Sequence, residues 1–163
     1  MNGMPGTIAT LLKQQRPFSS PEQEALLGLR MTAARLIAPW AQFLKTTANL
    51  STSQYNVLRI LRGSHPGSLT CGEIGERTVA REPDVTRLVD GLSKRGLVRR
   101  TRSRTDRRVV QVDVTQKGLD LLRELDPHVQ RMPRALLGHV SQERLRQLSR
   151  LLDEVLDGMG RFP

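Results

Sequence analysis

The sequence predicts a mainly helical fold carrying one small β-hairpin, and three observations lead there. Apolar residues recur at alternating steps of three and four toward both ends of the chain, as on helices packed against other helices. Between those stretches lie two closely spaced helix-start signatures, each opening a short helix. Only in LVRRTR (97–102) and VVQVDV (109–114) does the period change to two, with Val110, Val112 and Val114 on one face.

Taken in order, residues 1–20 read as a flexible polar tail. From Pro21 the rhythm runs Leu26, Leu29, Ala33, Leu36, Trp40, Phe43, a long helix over 21–48 that Pro39 either bends or divides. Ser51 and Gln54 form the S-x-x-Q capping box of the next helix, with Leu50 and Tyr55 placed as its hydrophobic staple. That helix ends in the breaker-rich GSHPGS at 63–68. Thr70 and Glu73 repeat the device, with Leu69 and Ile74 as the staple. A third short helix opens around Pro83, an apt first residue, with Asp84 favourable in its first turn. Its N-cap is unclear from sequence, since Glu82 caps poorly. Its end is better marked: Gly96 suits the left-handed position, with Leu97 returning onto Leu92. After the hairpin, Thr115 caps a helix with Leu122, Leu125, Val129, Met132 and Leu136 on one seam, kinked by Pro127 and Pro133. Ser141 caps a last one, seamed by Leu145, Leu148, Leu152 and Val155.

Composition narrows the partner. Against 16 acidic residues the chain has 26 Lys and Arg, a net charge of +10, which points to a polyanion. The excess is local: Lys94, Arg95, Arg99, Arg100, Arg102, Arg104, Arg107 and Arg108 face a single acid, Asp106, within the hairpin and its approach. A generic solvated surface would mix its signs, whereas a basic hairpin beside a short helix suits phosphate tracking. Three short helices followed by a two-stranded wing is the order of a winged helix-turn-helix, whose last short helix enters the DNA major groove. The domain reading is a tail (1–20), a dimerisation helix (21–48), a winged helix-turn-helix lobe (49–115) and C-terminal dimerisation helices (116–163). The helical seams at the two ends exceed what so small a lobe can cover, hence a homodimer.

From about residue 25 to 157 the chain resembles the MarR-type regulators (multiple antibiotic resistance regulators). The resemblance rests on LSTSQYNVLRIL (50–61), DVTRLVDGLSKRGLVRR (84–100) and DRRVVQVDVTQKG (106–118). The family's wing pattern, D-x-R then five residues then Leu-Thr, is met by Asp106, Arg108 and Val114-Thr115, with Val in place of Leu. The resemblance implies that the middle motif is the recognition helix, with Thr86 and Arg87 on base edges or flanking phosphates and Asp84 in the same contact set. It implies that Arg108 enters the minor groove, steered by Asp106, a placement that agrees with the attraction of a guanidinium to a narrow groove. Arg104 and Arg107 are phosphate contacts or solvated charges, Arg87 has Asp84 and Asp90 within helical pairing distance, and Asp106 equally suits a turn. The function implied is a sequence-specific, double-stranded-DNA-binding transcription regulator, a homodimeric repressor on a pseudo-palindromic site.

The family resemblance also implies release by a small aromatic or phenolic effector. Trp40, Phe43 and Tyr55, three of only five aromatic residues, either border such a cleft or pack as ordinary core. Redox sensing through Cys71, and an RNA- or protein-binding winged module, are the alternatives. Cys71 stands at a helix start, where a thiol gains acidity, and is otherwise a small hydrophobe. Its being the sole cysteine fits the cytoplasm. No metal or cofactor is expected: His128 and His139, if on one helix, stand about 16 Å apart along its axis, and His65 lies in a turn. Nor does the sequence hold G-x-S-x-G, H-E-x-x-H, a Gly-rich phosphate loop or Cys-x-x-Cys, so no catalytic residue is assigned. The N-terminus lacks the pattern of a signal peptide, and no apolar run nears the roughly 18 residues of a membrane span.

Overall fold

Local signals start most of the helices. In the computed structural model, which describes residues 6–78, 84–102 and 109–159, the long helix α2 (Pro21–Ala48) begins where Ser20 accepts a hydrogen bond from the Gln23 N–H. Pro21 follows at the first helical position, and Glu22 and Glu24 face the positive helix end. The helix stops at Asn49, which takes the left-handed conformation at φ 48° while its side-chain oxygen accepts from Lys45 Nζ at 2.8 Å. It runs through Pro39 unbroken, so the residue does not begin a second segment. Pro39 faces solvent, where water can satisfy the carbonyl that a proline leaves unbonded. Within the stretch read as tail, Thr7–Leu11 forms a short helix, α1, which packs on α2 with Ile8 over Gly28.

Both capping boxes form in full. Ser51 and Gln54 exchange side-chain-to-backbone hydrogen bonds at the start of α3 (Thr52–Ser64), as do Thr70 and Glu73 at the start of α4 (Cys71–Glu76). Their staples Leu50, Tyr55, Leu69 and Ile74 are all buried. The recognition-helix candidate, α5 (Val85–Lys94), starts two residues later than Pro83 suggested. Its N-cap is Asp84, whose carboxylate accepts from the Arg87 N–H at 2.9 Å. It closes as expected. Gly96 sits at φ 70°, Gly96 N–H donates to Ser93 O, and Leu97 N–H donates to Leu92 O, the paired bonds of a Schellman turn.

The hairpin pairs β1 (Val98–Arg102) with β2 (Val110–Val114), antiparallel, setting Val98 opposite Val114 and Arg102 opposite Val110. Val112 and Val114 turn inward and are buried. On its outer edge Val112 exchanges both backbone hydrogen bonds with Leu69, so the residue that precedes the N-cap of α4 acts as a one-residue third strand. Thr115 then caps α6 (Gln116–Leu137) and Ser141 caps α7 (Gln142–Met159). Like α2, α6 continues through its prolines, Pro127 and Pro133, both of them exposed. Gly118 lies so close to the hairpin base that a Cβ there would collide with the Leu97 carbonyl oxygen and Val114. The chain divides into two compact units, one ending at Leu121 and one beginning at Leu122. The core of the first gathers Leu44, Leu50, Leu58, Leu61, Ile74, Val89, Leu92 and Val112, all without solvent contact.

Candidate nucleic-acid interface

Helix α5 has one buried face and one exposed face. Val89 and Leu92 anchor one face in the core, which turns Thr86 and Arg87 to solvent on the other. Among the described residues no carboxylate pairs with the Arg87 guanidinium: Asp84 is engaged in capping, and Asp90 pairs with Arg100 of β1. The two helical partners considered for Arg87 are thus occupied elsewhere. An open groove of about 620 Å³ runs between the start of α3 and this face, lined by Ser51, Gln54, Asp84, Arg87 and Lys94 among others.

The basic cluster divides on inspection. Arg99 lies across the hairpin from Asp113 and pairs with it at 3.3 Å, and Arg100 ties β1 to α5 through Asp90. Arg95 reaches the end of α2, donating to Asn49 O at 2.8 Å and Ala48 O at 2.7 Å. Charge counted along the sequence therefore overstates what the folded surface offers to phosphate. Lys94 and Arg102 remain exposed. Arg104, Asp106, Arg107 and Arg108, the wing-tip assignments, lie outside the described residues.

The aromatic residues do come together. Trp40 stacks on Phe43 with ring centres 5.6 Å apart and meets Tyr55 edge-on at 5.0 Å, joining α2 to α3. Tyr55 is buried, while Trp40 and Phe43 are half-buried. Cys71 is a half-buried free thiol in the first turn of α4. Among the described residues no group of three His, Cys, Asp or Glu gathers around a common point, and no helix is long and apolar enough to cross a membrane. Among the described residues, two carboxyls are shifted downward. Glu73 accepts from the Thr70 N–H and then from its hydroxyl, and Glu22 is stabilised chiefly by Ser20.

Comparison with known proteins completes the picture. The family model of the MarR family matches residues 48–109, the segment from the end of α2 to the start of β2. A crystal structure of a MarR transcription factor from Planctomyces limnophilus is 41% identical, with a TM-score of 0.65, covering 84% of this chain and 98% of that one. The PcaV transcriptional regulator from Streptomyces coelicolor, solved in complex with its natural ligand, is 27% identical with a TM-score of 0.64, covering 77% and 89% of the two chains. The transcriptional repressor MprA from Escherichia coli is 35% identical over 97 residues, 58% of this chain and 52% of that protein. These relatives are transcription regulators, not enzymes. The chain belongs to the MarR family of winged-helix, DNA-binding transcription regulators.

Proposed function

We propose that the protein is a homodimeric repressor that reads a pseudo-palindromic duplex in the cytoplasm, through α5 in the major groove and the hairpin alongside. The carrying observation is the exposed Thr86–Arg87 face of α5, free of acidic partners among the described residues and held beside the hairpin by the Asp90–Arg100 pair. The dimer reading is supported by apolar residues left exposed on α7 (Leu151, Val155, Leu156 and Met159) and on α2 (Leu26 and Ile37). Residues 21–48 and 116–163 then serve dimerisation, and 49–115 serve DNA. Repression is supported by the name of the MprA relative. A small aromatic or phenolic effector is supported by the Trp40–Phe43–Tyr55 cluster, and by PcaV having been solved with a natural ligand.

Three substitutions test the DNA reading. Arg87→Ala is expected to weaken the preferred duplex by about 1–3 kcal/mol and to blur one position of its consensus. Arg108→Ala is expected to cost a similar amount, felt at A·T-rich flanks where the minor groove narrows. Arg104→Ala is expected to weaken every duplex alike and to lower the salt slope by about one. Folded, dimeric variants that all bind as the parent does would contradict the placement. So would loss of folding in Arg87→Ala, since an exposed arginine without a structural partner should leave stability nearly unchanged.

A further inference from the structure

The geometry points to Arg95 as a positioning residue for DNA reading: its guanidinium fixes the C-terminal end of α5 against the end of α2, and it touches no phosphate. This inference rests on α5 being the helix that reads the duplex. Arg95 is the C-cap of α5, and its two terminal nitrogens reach back some forty-six residues in sequence to the carbonyls of Asn49 (2.8 Å) and Ala48 (2.7 Å). Those carbonyls belong to the end of α2, where the helix has run out of its own N–H donors and its dipole is negative. A planar fork carrying a full positive charge suits two adjacent carbonyls, whereas an ammonium can satisfy them only as a point donor.

The same turn is held from its other side. Lys117 Nζ donates to the Arg95 carbonyl at 2.9 Å, and the Thr115 hydroxyl donates to the Gly96 carbonyl at 2.7 Å. The Schellman turn that closes α5 is therefore the meeting point of α2, α5 and the first turn of α6. The exposed residues proposed to meet the duplex, Thr86 and Arg87, lie about two turns along the same rigid rod. Releasing its far end allows the rod to tilt or slide, which misaligns bidentate base contacts that depend on sub-ångström placement. Contacts with phosphate, made by flexible charged side chains, tolerate such a shift. Base reading should suffer and general attraction should not.

The test is a salt titration of two duplexes, the preferred site and an unrelated sequence, with parent, R95A and R95K. The R95A variant is expected to lose about tenfold on the preferred duplex, the equivalent of one charge-assisted hydrogen bond. Its affinity for the unrelated duplex, and its slope of log affinity against log salt, should match the parent's. The R95K variant, which keeps the charge but not the fork, should fall between them. Unchanged preference in folded R95A overturns the inference, as does a slope lowered by about one with both duplexes weakened alike, the signature of a phosphate contact. Should R95A fail to fold, R95K decides alone: a loss of preference at constant slope supports the positioning role, and parental binding overturns it. A parent that prefers no duplex refutes the DNA reading first, and this inference with it.

Discussion

Asp84, which the family resemblance places among the DNA contacts, has a local task in the fold as well. It lines the open groove between α3 and α5, and its oxygen caps α5 through the Arg87 N–H. Asp84→Ala is expected to destabilise the fold by about 1 kcal/mol, read as a lowered Tm. Asp84→Asn should keep the cap and most of that stability, while removing a negative charge from the face proposed to meet the duplex. Nonspecific duplex affinity should then rise. An alanine variant as stable as the parent would show that the cap contributes nothing. Sequence hid this role because Pro83 is an equally good start signal, and a helix begun there leaves Asp84 in its first turn rather than at its cap. Glu73 carries a pH signature. Its folded carboxyl is lowered, first by the Thr70 N–H and then by the Thr70 hydroxyl, so its contribution is complete above the ordinary glutamate range. That contribution fades as pH falls through the lowered value. Glu73→Gln, which keeps an acceptor that does not titrate, should therefore show a flatter decline of Tm below about pH 5 than the parent. Parallel declines would count against the cap.

At the scale of elements, what was legible was local. Ser51, Thr70, Gly96 and Thr115 each announce a boundary through bonds made within a few residues, and each boundary forms where the sequence places it. What was hidden depended on distant chain. Nothing around Leu69 says that it will exchange hydrogen bonds with Val112, and nothing around Arg95 says that its side chain will cap α2 rather than face DNA. The five-residue α1 is too short for a periodic signal, and gains its place from Ile8 packing over Gly28. The candidate site divides the same way: Thr86 and Arg87 stand on an exposed helical face, as the motif resemblance implies, whereas the pairing of Arg95, Arg99 and Arg100 with groups elsewhere in the fold was not readable. Helix α7 invites a direct test. Its residues Leu151 and Leu156 are 51% and 65% exposed in the single chain, so neither is needed to fill this chain's core. Replacing both by Glu should leave the helix content intact and shift light-scattering mass from twice 18.3 kDa toward that of one chain. Dimers that survive the double substitution would place the interface elsewhere.

For the molecule as a whole, the net charge of +10 supplies attraction to any duplex, but attraction alone does not select one. Selection needs two copies of α5 fixed relative to each other, so that a two-fold protein meets a two-fold site. Arg95 and the Asp90–Arg100 pair hold α5 within one chain, and in the dimer proposed above the exposed apolar residues of α2 and α7 are the contact between copies. The most direct measurement is selection of bound duplexes from a random pool at near-physiological salt. The expected result is an inverted repeat whose half-site centres lie roughly 10 bp apart, or one helical turn further. A consensus without symmetry, or a preference for single strands, would contradict it.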